Sequence, residues 1–153
     1  MKIEIDQSGK VEETARRTAI GDSLGNVVVM SAADKKAIQA LYRSIGQPRS
    51  FVIQLFSLLV TFVIARSVSE THTYTIDPEY PGKEEEILTW ISYFAHKLSL
   101  PFVPDHVVFH RVGKSSLAHG VAHKAFKKKQ TPATVSALEA IRYLLPQKMD
   151  RAL

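Results

Sequence analysis

The stretch YTIDPEYPGKEEEI, residues 74–87, brings a short apolar strand to an end in Asp77, Pro78 and Glu79 before Pro81-Gly82 turns the chain away. Proline and glycine alone suffice to end a strand, so the two acids need a chemical reason. A third acid in similar surroundings, Asp6, stands in IEIDQSG, where Ile3 and Ile5 alternate with polar residues. If the strands carrying Asp6 and Asp77 are parallel neighbours, both carboxylates sit at the sheet's carboxyl edge, where α/β sheets hold ligands. Like charges that close raise one another's pKa unless a cation lies between them. Magnesium or manganese suits that position, since both favour carboxylate oxygen and magnesium keeps waters for a reaction. Glu79 shares a side with Asp77 if extended backbone continues through Pro78, because side chains alternate with a period of two. Otherwise it is a solvated loop acid, as Asp6 is otherwise a turn-forming residue ahead of Ser8-Gly9. Glu84, Glu85 and Glu86 are read differently, as first-turn charges that complement a helix dipole.

The basic and imidazole groups cluster later. His119 and His123, in KSSLAHGVAH, are spaced i, i+4 and share one helical face, suited to a metal or a phosphate. Position 120 is Gly, so the HExxH pattern of zinc proteases, with its general base, is absent. Lys114, Ser115 and Ser116 open the same helix, where backbone N–H groups, hydroxyls and an ammonium group either hold a phosphate or simply cap the helix. Lys124 and the run Lys127, Lys128 and Lys129 make its far end basic. That suits the helix dipole, and also a phosphate backbone bound in a salt-dependent, sequence-independent way. His72, His96, His106 and His110 lack a partner pattern and read as structural.

The chain has 153 residues, the size of one ordinary domain with a sizeable core. With 45% hydrophobic and 23% charged residues it belongs among folded globular chains. The lack of cysteine excludes disulfides, thiolate zinc sites and cysteine nucleophiles, leaving carboxylate, imidazole and water as metal ligands. The net charge of +5 makes an anionic partner, nucleic acid first, the natural expectation. The N-terminus lacks the pattern of a signal peptide. The apolar stretch FVIQLFSLLVTFVIA, residues 51–65, is shorter than the roughly 20 residues that span a bilayer, and it carries Gln54, Ser57 and Thr61. It reads as a buried core helix, so the expected setting is the cytoplasm, without membrane association.

The elements that must position these groups follow from periodicity. Lys2 to Gln7, Thr18 to Gly21 and Val27 to Met30 read as a three-stranded antiparallel meander. A helix capped by Ser31 or Asp34 ends at Gly46, and the apolar helix runs from about Arg49 to Ser67. A fourth strand spans Thr71 to Asp77, an amphipathic helix Lys83 to Leu98, and a fifth strand His106 to Val112. Helices follow from Lys114 to about Lys129 and from Thr131-Pro132 to about Leu145. The order βββααβαβαα implies one α/β domain, residues 1–153, on a mixed sheet whose fourth and fifth strands arrive by helical crossovers.

This order, with an Asp inside the first strand, resembles the ribonuclease H-like superfamily of integrases, transposases and resolvases over nearly the whole chain. The resemblance implies divalent metal ions, usually magnesium, held by carboxylates where the first and fourth strands run side by side. Asp6 matches the first-strand acid and Asp77 the fourth-strand acid, while His119 lies on the helix expected to carry the last ligand. The superfamily often has a Glu on the helix after the third strand, but residues 34–69 contain none. Either Glu79 substitutes for it or only one metal binds well. The resulting expectation is a metal-dependent nuclease with Asp6, Asp77, Glu79 and His119 at its centre and Lys114, Ser115, Lys124, Lys127, Lys128 and Lys129 on nucleic acid. A binding module without catalysis on the same scaffold is the second reading. A third is an assembly protein that pairs with a second copy through a partly exposed apolar helix.

Overall fold

A computed structural model describes residues 1–127 and 133–152, with residues 145–152 described by backbone alone. Strands β1 (Lys2–Ser8), β2 (Thr18–Asp22) and β3 (Val27–Met30) form the expected antiparallel meander. The β2–β3 turn is tight because Asp22 Oδ1 accepts from the backbone N–H groups of Leu24 and Asn26, both at 2.9 Å. Parallel strands need a long crossover, and the helices α1 (Ala32–Ser44) and α2 (Phe51–Ala65) supply it. They deliver β4 (Thr73–Ile76) alongside β1, with Ile3 opposite Tyr74 and Ile5 opposite Ile76. Helix α3 (Glu84–Lys97) then leads to β5 (Val107–Phe109), which pairs parallel to β4. The sheet order is β3-β2-β1-β4-β5.

Two layers of helix cover this sheet. On one side α1, α2, α3 and α5 (Ala137–Ala152) enclose the main core, which includes Ile3, Ile5, Ile20, Val28 and Met30 from the strands. Twelve of the fifteen residues of α2 are buried. Its polar side chains are satisfied locally: Ser57 and Thr61 donate to carbonyls one turn back at 2.7 Å, and Gln54 Oε1 accepts from the Tyr42 hydroxyl at 2.7 Å. Pro48–Ala65 is apolar enough by composition to cross a membrane, with a mean hydropathy of 1.7, yet 67% of it is buried inside the fold. It is the core helix its polar residues imply.

On the opposite face α4 (Leu117–Lys127) lies across β1, β2 and β3 over a smaller apolar layer of Ala19, Val27, Val29 and Ala125. The approach is close. A Cβ on Gly21 would stand 2.9 Å from the Ala122 nitrogen and 2.9 Å from Val121 Cγ1, so only glycine fits beneath the helix. Gly21 is also the partner of Asp6 across the ladder, which puts α4 directly over that acid's strand.

The helix ends differ from the periodicity reading in informative ways. Helix α4 begins at Leu117, not Lys114, because Ser116 is its capping residue: its hydroxyl accepts from Ala118 N at 3.1 Å. Helix α5 begins at Ala137, not near Pro132. Residues 133–135 run beside β3 instead, Val29 N donating to Ala133 O and Val135 N to Val29 O. Ser136 then caps α5 through Glu139 N at 3.1 Å. Strand β5 is only three residues long, and Pro104–His106 ahead of it forms a 3-10 turn.

Candidate functional site

The parallel pairing of β1 and β4 brings the strand-end acids together. Asp77 follows β4 directly, and its N–H extends the ladder by donating to Ile5 O at 3.1 Å. The chain then bends through Pro78, with Glu79 N donating to Asp77 O at 2.9 Å, which carries Glu79 back toward β1. One ligand oxygen from each of Asp6, Asp77 and Glu79 lies within 4.8 Å of the other two. Asp6 is buried and the other two are half-buried.

The electrostatics follow from this crowding. Burial, first, and the neighbouring charges of Asp77 and Asp6, second, push the Glu79 carboxyl up to about 8. At neutral pH and without a cation the cluster therefore keeps a proton on Glu79. Asp6 and Asp77 are held in place by backbone donors: Gln7 N reaches Asp6 Oδ1 at 2.8 Å, and Val112 N reaches Asp77 Oδ1 at 2.9 Å.

Helix α4 contributes His119, whose Nδ1 lies 2.9 Å from Asp6 Oδ2. His119 thus stands behind Asp6, outside the group of three carboxylates, and its Nε2 makes no hydrogen bond among the described residues. His123, one turn on, stacks against it with ring centroids 5.9 Å apart and planes within 8°.

Asp6, Asp77, Glu79 and His119 line a cleft of about 200 Å³, which also receives Gln7, Arg111 and Lys114. Lys114 thus lines the cleft. Ser115 is exposed outside it, and the hydroxyl of Ser116 is committed to Glu4 Oε1 at 2.9 Å and to capping α4. Lys124 and Lys127 sit farther along α4, while Lys128 and Lys129 lie outside the described residues. Arg111 and Gln7 escaped the sequence reading. Arg111 is the first basic residue after β5, and Gln7 adjoins Asp6; those are the only local signals. Gln7 is buried with its Nε2 unpartnered among the described residues, and its Oε1 lies 3.4 Å from the Tyr80 hydroxyl, which also reaches Glu12 Oε1 at 3.0 Å.

The donor set suits a hard divalent cation. Oxygens bound at 2.0–2.1 Å around magnesium are roughly 2.9 Å apart at adjacent positions and roughly 4.2 Å apart at opposite ones. At least two of the three oxygen pairs would close from as much as 4.8 Å to roughly 2.9 Å, a movement of up to about 2 Å at the carboxylate ends. The three acids come from two adjacent strand ends of one sheet, so their backbone is already fixed. No protein-family model matches the chain, and no match was found among curated proteins or solved structures.

Proposed function

We propose that the protein is a divalent-metal-dependent nuclease of the ribonuclease H-like superfamily, hydrolysing phosphodiester bonds in DNA or RNA in the cytoplasm. The observation that carries the reading is the convergence of Asp6, Asp77 and Glu79 at the carboxyl edge of a parallel strand pair. The sheet order β3-β2-β1-β4-β5, with β2 and β3 antiparallel and β4 and β5 parallel to β1, is consistent with the superfamily. Glu79 fills the role for which residues 34–69 offer no Glu.

Asp6, Asp77 and Glu79 would hold magnesium or manganese, which would supply charge stabilisation at the scissile phosphate and a more acidic bound water. Glu79 would hold the cation as a carboxylate, since a positive charge there would offset the repulsion that keeps it neutral. His119 fixes the orientation of Asp6 through Nδ1, as hydrogen-bonding partners of metal-binding groups do. Its free Nε2 is available to accept or donate a proton at the attacking or departing oxygen. Arg111 and Lys114 at the rim bind the unesterified phosphate oxygens, the guanidinium in a two-point contact and the ammonium as a point charge.

The test is a titration of magnesium or manganese into the wild type and the Asp6→Asn, Asp77→Asn double variant, following thermal stability and cleavage of labelled DNA and RNA. The expected result is metal-dependent stabilisation and cutting in the wild type, both lost in a variant that melts no lower than metal-free wild type. Cutting that survives in the variant would sink the assignment. A second reading, a binding module without catalysis, is favoured by the protein partners that Asp6 and Asp77 already have. It predicts polynucleotide affinity that needs no divalent ion, with no cutting.

A further inference from the structure

The basic groups outside the cleft are not evenly spread. On α4 the positions 119, 123 and 127 share one face, so a line runs from His119 in the cleft through His123 to Lys127. At about 1.5 Å per residue it covers roughly 12 Å. At its far end the β1–β2 loop brings Arg16 and Arg17 against Phe126 and Lys127, around a second hollow of about 390 Å³.

This end is built to hold its charge in place. The Arg16 guanidinium lies over the Phe126 ring, 4.7 Å from its centroid. The ring in turn rests on Gly9, whose φ is +77°. A Cβ there would meet Phe126 Cε1 at 2.5 Å and the Arg17 carbonyl oxygen at 2.3 Å. Three donors from the fully buried Lys35 ammonium tie the loop down, to Lys10 O at 3.1 Å, Glu13 O at 2.7 Å and Thr18 Oγ1 at 2.9 Å. Arg17 Nη1 adds a contact to Ala125 O at 3.4 Å. Of the loop's acids, Glu12 is engaged by Tyr80, and the charges of Glu13 and Glu12 partly offset the burial that lowers the Lys35 ammonium to about 8. Among the described residues the Arg16 guanidinium makes no ion pair or hydrogen bond.

A guanidinium with one face on an aromatic ring still presents its N–H edge, the arrangement that takes a phosphate in a two-point contact. Complementing the dipole of α4 would account for Lys124 and Lys127. It would not account for an arginine from another element, set on an aromatic ring and without an acid among the described residues.

We propose that Arg16 and Lys127 form a second phosphate-binding station, which holds the backbone of a nucleic-acid strand about 12 Å from the cleft, with α4 as the track between. This extends the nuclease reading and rests on it for the direction of the strand.

The experiment measures binding of labelled DNA and RNA oligonucleotides to the wild type and to Arg16→Ala, Lys127→Ala in chelator across a salt series, and cleavage by both proteins with magnesium. Circular dichroism establishes that the variant is folded. Arg16→Gln alone, a milder change that removes the charge and keeps a long polar side chain, is a second variant. The expected result is affinity lower by about 10- to 100-fold, with the salt dependence shallower by roughly 1.5, two phosphate contacts at about 0.7 to 0.9 each. KM rises correspondingly, with kcat little changed. Unchanged affinity and salt slope in both variants, or a wild type that binds no polynucleotide, would overturn the station. Cutting by a wild type whose variants bind equally well would leave the nuclease reading standing without it. Salt-sensitive binding lost in the variants, with no cutting by any form, would keep the station and remove the nuclease.

Discussion

Glu79 is the residue whose charge the fold decides. Its carboxyl titrates near 4.5 in an unfolded chain and at about 8 in the folded one, through burial and the nearness of Asp77 and Asp6. Between those values the folded protein keeps a proton that the unfolded chain has lost. Stability without metal therefore falls as pH rises from about 4.5 to about 8 and is flat in this respect above it. Glu79→Gln removes that slope and should exceed the wild type above about pH 8 by on the order of 2 kcal/mol, after allowance for screening at the cleft mouth. Urea titrations at pH 5 and pH 8.5 measure the difference, and a variant with the wild-type slope would assign the titration to another group. On the metal-site reading, magnesium should reverse the ranking by stabilising the wild type more than the variant. At this scale the sequence was legible where an acid interrupts an apolar strand, as at Asp6 and Asp77. It was not legible at Arg111, because the loop after β5 returns over Asp77 through a single backbone donor, Val112 N. No side-chain pattern announces such a contact.

Helix α4 shows what an element does for the site. It holds His119 against Asp6, and its distance from the sheet is set by the absence of a side chain at Gly21. Gly21→Ala forces the helix outward, at a cost of about 1–3 kcal/mol, and on the nuclease reading should weaken cutting by moving His119 away from Asp6. Gly120→Ala, on α4 itself, meets nothing within 4 Å. It should stabilise by roughly 0.5–1 kcal/mol through helix propensity alone. Thermal melts and cleavage rates of the pair separate the two effects; a Gly21→Ala protein as stable and active as the wild type would refute the account of close packing. The existence and order of the helices were readable from periodicity, and Ser31 as the cap of α1 was among the candidates. The start of α5 was misread because Thr131-Pro132 gives a strong start signal. The capping pair Ser136 and Glu139 lies a few residues on, and residues 133–135 are drawn off to cover the open edge of β3. Local signals compete, and a sheet edge that must be covered decides between them.

For the whole molecule, the mixed sheet was legible because three closely spaced strands followed by alternating helices and strands leave few ways to close a sheet. The division of the helices between its two faces was not, since α2 is apolar all round and α4 has only a narrow apolar stripe. The parallel pair at the centre has a consequence for kinetics. Residues on β1 and β4 that face each other are about 70 positions apart in the chain, and contacts of such range form late in folding. The crowding of carboxylates then does not exist until most of the chain is in place, and it is felt by the native state more than by the barrier leading to it. Asp77→Asn in chelator, which keeps an acceptor for Val112 N, should slow unfolding while leaving the folding rate almost unchanged. Stopped-flow measurements across denaturant resolve the two limbs, and a change confined to the folding limb would mean that the pair closes early. A cation seated among these acids would by the same logic lengthen the lifetime of the folded protein without hastening its formation.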